Sequence, residues 1–342
     1  MTAFPEPSSG WLALSDTGML AKTPANGLLH KGKFVLELAM PLAKTAVLLA
    51  HHCNLDWPRT FTLLFDPKIG FIIAHRQGAR VVRHVLPGPI RQGQGHGRLT
   101  FDFDAPAKRW SLRFEHLSAA PAFVTSSHGT DPLPLQIADI AALCAQPFAC
   151  SPPVLWFGVS HDYDCALPAA APWIGLRTKV DTSLGPIAAG NLRPGDIIMT
   201  LDQGPQMLLD CQQLSLPARG SFAPVLLCAP YFGQQQDILV SADQLIAIEG
   251  PETEYLFDQD SVLVPAAGLV DGRTALFDDR RAVTQGVALC LGTAALIVAD
   301  GCVFGLGPDA ALDLPLPCLR PYEVLTLMSL LGRTPRRVVQ SK

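Results

Sequence analysis

The sequence predicts an all-β protein of two β-rich domains, and three observations carry that reading. The 342-residue chain holds 28 Gly and 30 Pro, a density of turn formers that suits many short strands better than a helical bundle. Hydrophobic residues make up 49% and charged residues only 16%, enough apolar material for two cores at roughly 150 residues per domain. Short apolar runs cut off by Gly, Pro or Asp recur over residues 30–120 and again over 173–342, with a segment of different composition between them.

Taken in order, residues 1–29 read as an irregular lead-in. "KFVLELAM", "TAVLLAHH", "RTFTLLFD", "GFIIAHRQ", "ARVVRHVL", "RLTFDFDA" and "RWSLRFEHL" then follow one another at strand length, and seven such strands suit a two-sheet antiparallel sandwich. In the clearest pair, Leu99, Phe101 and Phe103 alternate with Thr100, Asp102 and Asp104, while Trp110, Leu112 and Phe114 alternate with Ser111, Arg113 and Glu115. A period of two gives each strand one apolar face to bury and one polar face to wet. The rhythm of residues 30–120 resembles the concanavalin A or laminin G type of sandwich. Residues 121–172 turn to Pro, Ala and Ser and read as a linker around a short helix in "PLQIADIAALCA". Ile137, Ile140 and Cys144 share one face of that helix and suit packing against a neighbouring domain. Strands resume with "TKVDTS", "DIIMTLD", "MLLDCQQL", "PVLLCA", "DILVSADQLIAI", "SVLVPAAGLV" and "VALCLGTAALIVADGCVFGL", and 173–342 ends on a short helix.

Composition also excludes partners. The formal net charge is −4 with Lys and Arg scattered, which gives no basic footprint for nucleic acid or an anionic membrane. "MTAFPEPSSGWLAL" lacks the basic and apolar regions of a Sec signal, and no run is long enough to span a membrane. The expected location is therefore cytoplasmic by default, with non-Sec export as the alternative. Nine cysteines without a C-x-x-C pair read as buried free thiols rather than a disulfide framework.

One block carries a resemblance. "WIGLRTKVDTSLGPIAAGNLRPGDIIMTLDQGPQ", residues 173–206, ends in "NLRPGDIIMTLDQG", where Pro194, Gly195 and Asp196 turn into a strand and Asp202, Gln203 and Gly204 turn out of it. This resembles the opening of a Hint domain, the Hedgehog and intein self-processing module, in its bacterial form. "DILVSADQLIAI", "SVLVPAAGLVDG" and "VALCLGTAALIVADG" resemble its later blocks, so the likeness spans 173 to about 305.

The resemblance implies self-cleavage, which requires a thiol or hydroxyl nucleophile and a His that protonates the leaving amide. Counting back from "LRPGD", Thr178 falls on the family's Thr and Trp173 on its nucleophilic Cys, while Arg177 replaces a Gly. Ser241 matches the second block, but Gln244 holds the general-acid position, and Gly268, Ala288 and Ala294 stand where His is usual. Indole cannot transfer an acyl group. Independently of any alignment, all nine histidines lie in the first 161 residues and residues 162–342 hold none, which removes the usual proton shuttle. Trp173, Thr178, Ser241, Gln244, Gly268, Ala288 and Ala294 are thus expected to be vestigial positions, with no catalytic residue, cofactor or metal.

The expected function is non-catalytic, a structural or binding protein whose ligand is an unidentified protein or glycan. The first alternative is an active self-cleaving precursor with a displaced nucleophile, Cys165, eight residues before Trp173 and close to His161. The second is a carbohydrate-binding sandwich carried on an inert module. Weaker signals read as structural. "GQGHG" at 93–97 suits a hairpin loop. Of "HHC" at 51–53, only one His can join His75 or His84 on a single face. Asp66, Asp102 and Asp104 read as solvated turn residues rather than calcium ligands.

Overall fold

The computed structural model describes residues 10–15, 17–20, 26–55, 57–118, 123–145, 153–161, 172–307 and 313–333. The chain divides into two compact units, Met1–Ala166 and Leu167–Lys342, and antiparallel sheets dominate both.

In the first unit all seven sequence-expected strands form. Ala46–Cys53, Arg59–Asp66, Gly70–Gln77 and Arg80–Pro87 make a four-stranded meander. A seven-stranded sheet runs Phe123–Thr130, Arg109–His116, Gly95–Asp104, Lys31–Met40, Val154–Ser160, Trp11–Leu14, Gly18–Met19. Alternation works as expected on the core side: Leu99, Phe101, Phe103, Leu112 and Phe114 are buried with Phe61, Phe65, Phe71 and Ile73 of the meander in one cluster. The other face of the larger sheet departs from the expected wet face. Glu37, Arg98 and Thr100 are buried, and Glu37 accepts from Arg98 Nε at 3.2 Å and from Trp156 Nε1 at 2.8 Å, so the charges enter paired.

Two boundaries need correction. The lead-in is not wholly irregular: Trp11–Leu14 is a buried strand paired with Val154–Ser160, and Leu28–Leu29 pairs with Leu135–Gln136. Nor is 121–172 a simple linker. Phe123–Thr130 pairs along its whole length with Arg109–His116, and Val154–Ser160 lies between Lys31–Met40 and Trp11–Leu14. The reason is local. "FVTSSHGT" is an edge strand that alternates intermediate with exposed residues, so it shows no apolar run. "VLWFGVS" is an apolar run preceded by a Pro- and Ala-rich stretch. Helix Ile137–Ala145 lies between these strands, and its Ile137, Ile140, Leu143 and Cys144 join the sandwich core of the same unit.

The second unit is built of a six-stranded and an eight-stranded sheet. The retained turns perform as the sequence implies. Arg193 N–H donates to Asp196 Oδ2 at 2.7 Å, and Gly195 holds φ 99°, a conformation that favours glycine. The turn delivers strand Ile197–Thr200, which pairs with Gly204–Met207 across Asp202 and Gln203. Leu296 N–H donates to Asp202 Oδ1 at 2.9 Å, tying that turn to the strand Ala295–Ala299. Ile174, Val180, Ile198, Val240, Ile246, Val287, Ile297 and Phe304 fill the core. The C-terminal helix Pro321–Leu330 buries Val324, Leu327 and Met328 against it. None of the helices of the described residues is long and apolar enough to cross a membrane.

Candidate functional site

The short strand Ile174–Gly175 runs between Ile238–Val240 and Val283–Cys290, with Ile174 opposite both Val240 and Val287. One residue back along this register, Trp173 falls opposite Ser241 on one side and Ala288 on the other. Trp173 is 3% exposed. Its peptide N–H donates to Ser241 Oγ at 3.0 Å, and its carbonyl accepts from Ser241 N–H at 2.9 Å. The indole lies on Gly286, where a Cβ would sit 2.2 Å from Trp173 Cε3. Glycine is therefore what gives the ring its seat.

The turn after Ser241 brings Gln244 N–H to Ser241 O at 3.1 Å. Gln244 is fully buried, and its Nε2 donates to Leu245 O at 3.1 Å and Gly305 O at 2.8 Å. The group on the Trp173 amide is thus a hydroxyl oxygen that accepts its hydrogen bond, while the side-chain amide at 244 serves backbone carbonyls. The remaining positions of the sequence-derived set have other contacts. Buried Thr178 closes a turn, its N–H on Gly175 O at 3.1 Å. Gly268 packs on the C-terminal helix, where a Cβ would meet Val324 Cγ1 at 2.9 Å. Ala294 accepts from Gln203 Nε2 through its carbonyl. Trp173, Ser241 and Ala288 are therefore brought together, Gln244 is joined to them by one turn, and the other three support neighbouring structure. Cys165 lies outside the described residues, and His161 directly follows the strand Val154–Ser160.

A second polar group lies in the sandwich unit. His51, Arg59, His75 and His84 come from the four meander strands, and Asp139 from helix Ile137–Ala145. Burial pushes His75 and His84 down to about 4, with the charge of His84 adding to the effect at His75 and Asp139 opposing it there. The His84 ring packs 5.0 Å from Phe101 and 4.7 Å from Trp110. Burial raises the Asp139 carboxyl, but hydrogen bonds from His51 and Arg59 outweigh it and hold the group below its ordinary value. Among the described residues, no group of three or more His, Cys, Asp or Glu could hold a metal ion. Asp66 and Asp104 serve turns, accepting from Lys68 N–H at 2.8 Å and Ala107 N–H at 2.9 Å. Sequence reasoning missed Asp139 as the partner of Arg59. A carboxylate among the apolar residues of "IADIAALCA" was the available signal.

With this geometry in view, comparison with protein families decides the assignment: residues 176–304 match the model described as Hint domain. The chain is a Hint domain-containing protein. No curated protein matches it. Among solved structures, the gp41-1 intein aligns with 40% of this chain and 100% of its own at 13% identity and TM-score 0.28. The Ruminococcus gnavus IT-sialidase CBM40 aligns with 44% of this chain and 89% of its own at 15% identity and TM-score 0.28. The same module bound to alpha2,6 sialyllactose gives 13% identity and TM-score 0.26. Within the Hint domain, Asp271 is a structural residue that the motif "VDG" marked without revealing its role. It accepts from the N–H groups of Arg273 and Thr274, both at 2.7 Å, and from Thr274 Oγ1 at 2.9 Å. Burial raises its carboxyl, and these bonds outweigh burial and hold it below the ordinary value.

Proposed function

We propose that the Hint domain of this chain is a non-catalytic scaffold, which serves a structural or binding role and does not cut its own backbone. One observation carries the reading: the amide that self-cleavage would release, the peptide N–H of Trp173, donates a hydrogen bond to Ser241 Oγ, while position 173 offers an indole seated on Gly286. A leaving amide needs a proton donor and the adjoining carbonyl needs a nucleophile. Gln244 spends its donors on the carbonyls of Leu245 and Gly305, and residues 162–342 hold no His. Nucleophile and donor act as a unit, so restoring one without the other gives almost nothing. Trp173→Cys, incubated with dithiothreitol and weighed intact, should remain a single mass. Fragments cut before residue 173 would show that the scaffold still protonates the amide and would overturn the reading.

A further inference from the structure

The polar end of the sandwich core has no part in the Hint-domain reading, and it surrounds a cysteine. Pairing of Ala46–Cys53 with Arg59–Asp66 sets Cys53 opposite Arg59, and His51 lies two residues before Cys53 on the same strand face. Arg59 is 5% exposed. Its Nε donates to both carboxylate oxygens of Asp139 at 3.1 Å, and Asp139 also meets His51 Nε2 at 3.2 Å. Trp57 covers the guanidinium at 5.6 Å. The guanidinium is therefore held by Asp139 at Nε and by Trp57 over its face, and its Nη2 reaches the half-buried Cys53. Nη2 donates to Cys53 Sγ at 3.2 Å. Nη1 is buried without a hydrogen-bond partner among the described residues, and so is His51 Nδ1.

A guanidinium fork takes acceptors in pairs, and a buried donor left without one costs free energy. An oxygen added to the sulfur that Nη2 already holds would bring an acceptor to the fork whose Nη1 has none. We propose that Cys53 is an oxidation site, where a hydroperoxide converts the thiol to a sulfenic acid held by the Arg59 fork. In this step the sulfur attacks the distal peroxide oxygen. An S–O bond forms, the O–O bond breaks, and the departing oxygen leaves as alcohol or water with the thiol proton. Sulfur loses two electrons and the peroxide gains them. Partly exposed cysteines beside a cation are the ones that react in this way, whereas buried ones in apolar surroundings stay inert. Cys302, buried and pushed up to about 12 by that burial, belongs to the second kind.

Exposure alone favours Cys290, the exposed thiol among the described cysteines, which makes it the internal control. The full chain is treated with hydrogen peroxide in the presence of dimedone, and labelling of Cys53 and Cys290 is followed by peptide mass spectrometry. Cys53 is expected to label about tenfold faster than Cys290. Arg59→Lys, which keeps a cation beside Asp139 and removes the fork, should bring the two rates together. Labelling of Cys290 at an equal or higher rate in the native chain overturns the proposal. So does a Cys53 preference that survives Arg59→Lys in a folded variant. If that variant does not fold, the native ratio alone decides.

Discussion

The indole of Trp173 rests on the bare Cα of Gly286, and this contact sets the energetic stakes at position 173. Removing a buried Trp side chain from a close-packed core costs about 3–5 kcal/mol, so Trp173→Ala should lower the melting temperature markedly. Gly286→Ala should also destabilise, by roughly 1–3 kcal/mol, because its methyl carbon would lie 2.2 Å from the ring. The two effects share one cause. In the Trp173→Ala background the added methyl meets no ring, so Gly286→Ala should then cost far less, and urea unfolding of the four proteins in a double-mutant cycle measures the difference. Additive effects would show that the ring and the glycine do not touch. Much of this residue was legible in the sequence, since an ungapped count back from "LRPGD" places Trp173 at the start of the Hint-type block. Its seat was not legible, because Gly286 is 113 residues away in "TQGVALC" and nothing local marks a glycine that lies under a ring.

Among the elements, the adjacent strands Gly70–Gln77 and Arg80–Pro87 carry an acid sensitivity into the sandwich core. His75 and His84 sit at about 4 in the fold against an ordinary 6.5. As pH falls through 6.5 the unfolded chain takes up protons that the folded chain refuses, so the contribution of these two histidines to stability drops between about 6.5 and 4 and levels off below. A fall of several °C in melting temperature across that window is expected. His84→Phe, which suits the neighbouring Phe101 and Trp110 rings, should raise the melting temperature more at pH 5 than at pH 7.5. An equal change at both values would remove His84 as a source of the acid sensitivity. At this scale the sequence conveyed core strands well, because period-two alternation is a local signal. It conveyed Phe123–Thr130 and Val154–Ser160 poorly. The first exposes or half-exposes every residue at a sheet edge, and the second becomes central only through pairing with Lys31–Met40 and Trp11–Leu14, more than 100 residues away in sequence.

In the molecule as a whole, those late strands set how far the first unit extends. Val154–Ser160 joins Lys31–Met40 to Trp11–Leu14 within the seven-stranded sheet, so a chain ending at residue 150 would leave the Lys31–Met40 edge unpaired on that side. Residues 1–166 are expected to unfold cooperatively on heating, and residues 1–150 to show no cooperative transition. Matching transitions for both pieces would contradict the topology. For the second unit, the charge and histidine distribution along the chain was legible from the outset, whereas the partnership of Ser241 with the Trp173 amide needed the sheet register. Intact mass spectrometry of the full native chain, incubated at neutral pH with and without dithiothreitol, tests the proposal of a non-cleaving Hint domain most directly. A single mass matching all 342 residues is the expected result in both conditions. Spontaneous or thiol-dependent fragments cut at residue 165 or 173 would contradict it, and cleavage at 165 would promote Cys165 as a displaced nucleophile.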